Sequence, residues 1–291
     1  MILVLGGPTA AGKTAAAMAV ADAFGARLVS ADAMQVYRRM DIGTGKPTPE
    51  ELQRYPHACV DIREPTEEFS AADFARSAEA CIAEGGPVCV VGGTSFYLRA
   101  LLVGLAPTPP VDLALRAELE ALADLHAELA AADPGLAAEL HPNDRVRIVR
   151  ALEVFRQTGR PFSQIRAEHR AAGPRQAAVR LWLDRDDLDA RIDRRVGEMV
   201  SAGYVDEVAA LLDEGVPRHA KPMKSLGYRH LAEHLLDGLP LDEAVRRTRR
   251  DTRKFARKQR TFLKGLGGFD PLPADDRDAV LRAAERAFSA R

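Results

Sequence analysis

The chain of 291 residues contains few cysteines, few aromatic side chains and no long apolar run. Its three cysteines, Cys59, Cys81 and Cys89, show no C-x-x-C spacing, so we expect free thiols rather than a zinc site or a disulfide framework. No apolar stretch approaches the roughly 20 residues that span a bilayer, and no charged leader with a cleavage pattern opens the sequence. These absences predict a cytoplasmic protein with no membrane partner.

An overall excess of one charge is also missing, because 41 Lys and Arg stand against 42 Asp and Glu. The charges are nevertheless distributed unevenly. Residues 141–180 carry nine Arg against three acids. A long helix is predicted at 241–266, and within it residues 246–264 carry ten Lys or Arg with only Asp251 opposing them. A solvated helix face is one explanation, but such a face usually mixes both signs. We therefore expect these regions to bind a polyanion through its phosphates.

Short apolar runs alternate with helical patterns along the chain, which predicts an α/β fold with a parallel sheet. The runs lie at 2–5, 26–30, 58–62, 87–93 and 179–184. A proline-rich segment at 106–112 interrupts the alternation, and helical patterns without strands follow it as far as residue 173. We therefore predict a core formed by residues 1–108 and 176–291, with a helical insertion at 109–175.

The segment GPTAAGKT follows the first apolar run directly and fits the pattern G-x-x-x-x-G-K-[ST] at Gly7, Gly12, Lys13 and Thr14. In such a loop, backbone N–H groups surround phosphate oxygens, the lysine adds a positive charge and the hydroxyl ligates Mg²⁺. The loop alone is most typical of NTPases and kinases. A GTPase is disfavoured, because no N-K-x-D guanine signature occurs. Asp61 is a candidate second acid beside the metal, or only a turn residue.

Asp32 follows the second apolar run in the segment SADAMQVYRRMDIGTGKP. The carboxyl ends of parallel strands share one edge of a sheet, so Asp32 is expected on the same edge as the phosphate loop. There it either faces the bound phosphate or only caps a helix.

Five segments in order resemble the tRNA dimethylallyltransferase (tRNA isopentenyl transferase) family: GPTAAGKT, SADAMQVYRRMDIGTGKP, VVGGTSFYLRALLVGL, HPNDRVRIVRALEV and LGYRH. The resemblance implies a P-loop NTPase-like parallel sheet flanked by helices, with a helical insertion domain. It also implies transfer of a dimethylallyl group from dimethylallyl diphosphate to N6 of the adenosine 3′ of the anticodon (position 37) in tRNA. Mg²⁺ is the implied cofactor, the anticodon stem-loop is the implied partner, and a monomer is expected.

The resemblance also implies roles for individual residues. The catalytic residues would be Asp32 as the general base, with Lys13, Thr14 and Arg195, and Thr14 would ligate the metal. The diphosphate would be bound by Gly7, Pro8, Thr9, Ala10, Ala11, Gly12, Lys13 and Thr14. The tRNA would be contacted by Asp32, Ala33, Met34, Gln35, Thr94, Arg116, Arg147, Arg150, Arg253 and Arg257.

Each assignment has a structural alternative. Thr94 can simply cap a helix, Arg116 and Arg195 can pair with nearby acids, and Arg147 and Arg150 can lie on a solvated face. For the whole chain, the alternatives are a P-loop small-molecule kinase that consumes ATP, an RNA-binding protein without catalysis, and a prenyltransferase acting on free adenylate.

Overall fold

The structure is a computed structural model that describes residues 1–289. The chain divides into two compact units. The larger unit comprises Met1–Leu102 and the chain from Gln176 onward, and the smaller unit is Val103–Arg175. The smaller unit thus begins before residue 109, the predicted start of the helical insertion. A role of this unit in tRNA binding stays a prediction.

The larger unit is built on a parallel sheet with the strand order β3-β2-β4-β1-β5-β6 over the described residues. The strands are β1 (Ile2–Gly6), β2 (Arg27–Ser30), β3 (His57–Ala58), β4 (Val88–Gly92), β5 (Ala178–Asp184) and β6 (Asp270–Pro273). In the centre of the sheet, Leu3 of β1 lies opposite Cys89 of β4 and Val179 of β5. The predicted α/β fold with a parallel sheet is confirmed.

Two strands differ from the prediction. The expected strand at 58–62 is wrong beyond residue 58, because Cys59 and Asp61 adopt φ values of 66° and 53°, which turn the chain out of an extended path. Strand β6 was not predicted, because its sequence, DPLP, contains two prolines. Proline is tolerated at the edge of a sheet, and β6 is an edge strand.

Helices cover the sheet and form the smaller unit. In the larger unit they are α1 (Lys13–Phe24), α2 (Pro49–Arg54), α3 (Ala71–Ala83), α4 (Ser95–Leu102), α10 (Leu188–Ser201), α11 (Tyr204–Asp213), α12 (Tyr228–Asp237), α13 (Leu241–Leu266) and α14 (Arg277–Ser289). In the smaller unit they are α5 (Leu113–Glu120), α6 (Leu125–Ala132), α7 (Pro134–Glu139), α8 (Arg145–Thr158) and α9 (Phe162–Ala171). The bounds of α13 agree with the helix predicted at 241–266.

One apolar core of the larger unit lies between the sheet and helices α1 and α14. Leu3, Leu28 and Leu183 from the strands are buried with Val20 of α1 and Ala284 of α14. Because β1, β2 and β4 run parallel, their carboxyl ends lie at one edge of the sheet, where the three loops that follow them meet. The cysteines are free thiols, with Cys59 and Cys89 buried.

The smaller unit has its own apolar core and two buried carboxylates, Asp133 and Glu153. Leu125 of α6 and Ile148 of α8 belong to that core. The Glu153 side chain is fully buried and accepts hydrogen bonds from the Arg116 and Arg150 guanidinium groups, at 3.1 and 2.6 Å, and from a backbone N–H. Within residues 1–289, no helix is both long and apolar enough to cross a membrane.

Candidate functional site

A cavity of about 1000 Å³ opens at the carboxyl edge of the sheet in the larger unit. Its walls come from the loops after β1, β2 and β4, from residues 43–47, from α10, from residues 224–228 and from α13. Pockets at this edge of an open parallel sheet are where such folds bind ligands.

The phosphate loop forms one wall of the cavity. Gly12 stands at the N-cap of α1 with φ 96°, a conformation that favours glycine. A Cβ at Gly7 would overlap the carbonyl oxygen of Leu183, so only glycine allows the loop to approach β5 this closely. The loop residues lining the cavity are Thr9, Ala10, Gly12, Lys13 and Thr14, whereas Gly7, Pro8 and Ala11 are buried and do not line it.

Three predicted site residues carry charges that interact within this cavity. Burial lowers the pKa of Lys13 to about 8, while the negative charge of Asp32 raises that pKa and the positive charge of Arg195 lowers it further. The Lys13 ammonium group donates a hydrogen bond to the Pro8 carbonyl oxygen at 2.6 Å. Burial also lowers the pKa of the Arg195 guanidinium. The structure therefore brings Lys13, Asp32 and Arg195 together at one cavity.

Asp32 both lines the cavity and stabilises its own turn. Its Oδ1 accepts a hydrogen bond from the Met34 backbone N–H at 2.8 Å. Thr94, which follows β4, accepts a hydrogen bond at Oγ1 from the Ala33 N–H at 2.9 Å and precedes helix α4. Asp32 thus stabilises a turn rather than the start of a helix, and its orientation toward a bound phosphate stays a prediction. Thr94 ties the loop after β2 to the loop after β4.

The Gln35 side chain makes hydrogen bonds within the chain. Its Oε1 accepts from the Ser30 hydroxyl at 2.8 Å, and its Nε2 donates to the Gly45 carbonyl oxygen at 3.2 Å. The same carbonyl oxygen accepts from Arg195 at 3.4 Å. Ala33, Met34 and Gln35 line the cavity, and a direct contact of this segment with tRNA stays a prediction.

Two further side chains hold the phosphate loop, and neither was identified from the sequence. Arg191 of α10 donates from Nε to the Ala10 carbonyl oxygen at 3.0 Å. Gln259 of α13 is buried, accepts from the Thr9 N–H at 2.9 Å and donates to the Gly93 carbonyl oxygen at 2.7 Å. No local sequence signal identifies Gln259, because the pattern around it in α13 is dominated by Lys and Arg.

The arginines of α13 pair with acids of the same unit. Arg253 forms an ion pair with Asp193, and Arg257 lies 3.9 Å from Asp189. Arg260 binds the Asp184 carboxylate through two nitrogens, at 2.9 and 2.7 Å. A different face of α13 lines the cavity, made of Thr248, Thr252, Phe255, Lys258, Gln259 and Phe262. The predicted tRNA contacts Arg253 and Arg257 therefore do not line the cavity.

The remaining candidates lie elsewhere. Arg116, Arg147 and Arg150 belong to the smaller unit, where Arg147 is 72% exposed and 3.2 Å from Asp144. Asp61 does not line the cavity and pairs with the buried ammonium group of Lys46, so the structure does not support it as a second acid beside the metal. No group of three or more His, Cys, Asp or Glu in residues 1–289 is arranged to hold a metal ion.

A parallel sheet whose first strand leads into this loop and helix, with helices on both sides, defines a P-loop NTPase-like fold. A family model described as IPP transferase matches residues 35–266. The tRNA dimethylallyltransferase 1 of Citrifermentans bemidjiense is 45% identical over 270 residues, which cover 90% of this chain and 88% of that protein. The tRNA dimethylallyltransferase 1 of Trichlorobacter lovleyi is 43% identical and covers 99% of both chains.

Among solved structures, the tRNA isopentenylpyrophosphate transferase of Bacillus halodurans is similar with a TM-score of 0.70 at 33% identity, over 98% of this chain and 94% of that one. The chain belongs to the IPP transferase family.

Proposed function

We propose that this protein is a prenyltransferase that moves the dimethylallyl group of dimethylallyl diphosphate to N6 of the adenosine 3′-adjacent to the anticodon (position 37) of tRNA. The products are the N6-dimethylallyl adenosine and diphosphate. Membership of the family supports this reaction, as do the names of the relatives. The observation that carries it is one cavity in which the Lys13 ammonium and Arg195 guanidinium groups stand near the Asp32 carboxylate.

The phosphate loop would bind the diphosphate and stabilise it as it leaves. Breaking the bond between carbon and oxygen adds negative charge to the diphosphate oxygens. Backbone N–H groups at the start of α1, together with Lys13 and Arg195, would balance that charge as it develops. The same groups serve NTP hydrolysis in other P-loop proteins, so the loop alone does not choose between the two reactions.

The residues present suit Mg²⁺ bound mainly through the substrate. The Thr14 hydroxyl lines the cavity and offers an oxygen ligand of the kind that this ion prefers. Mg²⁺ is usually held by one or two protein groups together with phosphate oxygens, and this arrangement needs no larger cluster of acids. When bound, the ion would neutralise charge on the diphosphate.

Asp32 would act as the general base toward the adenine. The exocyclic amine is a weak nucleophile, and its attack on the allylic carbon builds positive charge on nitrogen. A carboxylate is too weak a base to deprotonate the neutral amine beforehand, but it accepts the proton as that charge develops. The Met34 N–H bound to Oδ1 fixes the orientation of the carboxylate.

The tRNA would present its adenine as an unstacked base, since a duplex or stacked base cannot enter a cavity. Phosphate contacts from Arg147, Arg150, Arg253 and Arg257 belong to this proposal, as do a cytoplasmic location and a monomeric state. A kinase is not favoured, because family membership supports prenyl transfer instead.

The test is an incubation with radiolabelled dimethylallyl diphosphate, Mg²⁺ and unmodified tRNA, followed by digestion to nucleosides. Label in a single modified adenosine supports the proposal, and label only in free AMP overturns the choice of acceptor. A parallel reaction with a tRNA that carries guanosine at the target position is the control. Consumption of ATP with a small acceptor, without prenyl transfer, would support the kinase instead.

A further inference from the structure

We call residues 41–45 the glycine loop. Glu207 of α11 accepts hydrogen bonds from three consecutive backbone N–H groups of this loop. Its Oε2 accepts from the N–H of Asp41 at 2.8 Å and of Ile42 at 2.6 Å. Its Oε1 accepts from the Gly43 N–H at 3.1 Å. A carboxylate is the side chain best suited to this task, because both of its oxygens accept and neither donates.

A pair of buried tyrosines completes this arrangement. The Tyr228 hydroxyl donates to Glu207 Oε1 at 2.6 Å, and the rings of Tyr204 and Tyr228 meet edge to face at 5.0 Å between centroids. A Cβ added at Gly43 would overlap the Tyr204 ring, so the glycine loop packs directly on that ring. Hydrogen bonds from one side and ring packing from another thus determine where the loop lies.

The glycine loop in turn holds two side chains of the cavity. The Gly45 carbonyl oxygen accepts from Gln35 at 3.2 Å and from Arg195 at 3.4 Å. A Cβ at Gly45 would overlap the Arg195 guanidinium, which therefore lies in direct contact with the loop. Arg195 and Gln35 line the cavity, whereas Glu207 does not.

We propose that Glu207 is a positioning residue that holds the glycine loop from outside the cavity and thereby directs the Arg195 guanidinium toward the diphosphate. The proposal rests on the proposed function in that it takes diphosphate as the anion that Arg195 meets. Glu207 itself touches no reacting group.

The test replaces one carboxylate oxygen with an amide nitrogen in Glu207→Gln. The amide NH₂ then faces a backbone N–H, so the glycine loop must shift. Binding of inorganic diphosphate in the presence of Mg²⁺, measured by titration calorimetry, is expected to weaken about tenfold, as one displaced charged hydrogen bond would cause. The matched control is Asp213→Asn on the exposed end of the same helix, which is expected to bind diphosphate as the parent does.

A double-mutant cycle separates positioning from general weakening of the fold. If Glu207 acts through Arg195, Arg195→Lys costs about tenfold or more in the parent but only a small factor in the Glu207→Gln background. Additive losses, or unchanged diphosphate binding in a folded Glu207→Gln protein, would overturn the proposal. Should Glu207→Gln fail to fold, Gly43→Ala moves the same loop without altering the carboxylate and must show the same coupling to Arg195. These readouts need no prenyl transfer, so failure of the proposed reaction is distinguishable from failure of this inference.

Discussion

The side-chain oxygen of Gln259 accepts a hydrogen bond from the Thr9 N–H at 2.9 Å, although the two residues are 250 positions apart in the chain. The Gln259 amide nitrogen donates to Gly93 on the loop after β4. One buried side chain of α13 thus links the phosphate loop to the neighbouring loop. Its replacement should affect both the stability of the larger unit and the affinity for the donor.

Gln259→Met keeps the volume of the side chain and removes both hydrogen bonds. Leaving the Thr9 N–H and the Gly93 carbonyl oxygen without partners is expected to lower the free energy of unfolding by about 2–4 kcal/mol. The KM for dimethylallyl diphosphate should rise as the phosphate loop loosens. Urea unfolding and steady-state kinetics measure the two effects, with the exposed Gln164→Met as the control. A variant with unchanged stability and KM would show that this contact does not support the loop.

Lys13 predicts a pH dependence of diphosphate binding. Its pKa of about 8 in the free protein means that the ammonium is charged below pH 8 and loses its proton as the pH rises through that value. A bound anion favours the charged form, so diphosphate should raise the pKa of Lys13, and binding near pH 8 should take up a proton. Calorimetry in buffers of different ionisation enthalpy measures this uptake. Diphosphate also exchanges protons itself, so Lys13→Met provides the baseline, and equal proton exchange by both proteins would contradict the prediction.

Asp32→Asn is expected to abolish prenyl transfer while leaving affinity for donor and tRNA largely intact. The amide oxygen can still accept the Met34 N–H, so the turn after β2 keeps its hydrogen bond, but the amide cannot take up a proton from the adenine nitrogen. Single-turnover rates with labelled donor measure the chemical step, and filter binding measures tRNA affinity. Asp32→Ala should be equally inactive and also less stable. Undiminished transfer by Asp32→Asn would remove this residue as the base.

Replacing Arg253 and Arg257 with Gln is expected to weaken tRNA binding and to lower the slope of log K against log salt by about one to two. The slope should fall by about one if only Arg257 contacts a phosphate. Arg257 is the more available of the two, because its side chain is 58% exposed, whereas that of Arg253 is 28% exposed and paired with Asp193. Replacement of Arg54 and Arg76, two exposed arginines on α2 and α3, removes the same charge as a control. An unchanged slope would mean that these residues of α13 do not contact phosphates.

Glu153→Ala should lower the free energy of unfolding of the smaller unit by about 2 kcal/mol. This loss is smaller than that expected for a fully buried ion pair, because the two arginine partners of Glu153 are partly exposed. Burial raises the pKa of Glu153, but hydrogen bonds from Arg150, the Asp112 N–H and Arg116 outweigh burial and lower it. The stabilisation is therefore present above the unfolded value of 4.5 and is lost as the pH falls below it. Helical circular dichroism is the appropriate probe, since the single tryptophan, Trp182, lies in the larger unit. Equal stability of variant and parent at pH 7 would contradict the prediction.

The elements that the sequence predicted well are those with strong local signals. Four apolar runs became strands, and the charged amphipathic pattern at 241–266 became α13. Because the sheet is parallel, the loops carrying Lys13, Asp32 and Thr94 had to meet at one edge, so this part of the site followed from the fold class.

The parts that were missed depend on distant contacts or unusual backbone. Strand β6 consists of residues with poor strand propensity and forms because β5 is available to pair with it. Gln259 and Glu207 bind backbone groups that lie far away in the chain, and no local pattern reports such contacts. The basic stripe of α13 was visible, but the acids of α10 and β5 that neutralise much of it lie on other elements.

The hydrogen bond between Thr9 and Gln259 also affects the stage of synthesis at which the chain can bind diphosphate tightly. The phosphate loop leaves the ribosome before the side chain that completes it, because Thr9 precedes Gln259 of α13 by 250 positions in the chain. A nascent chain, or one truncated before α13, therefore carries the loop without its support. Growing chains should therefore bind diphosphate less tightly until translation has passed residue 259.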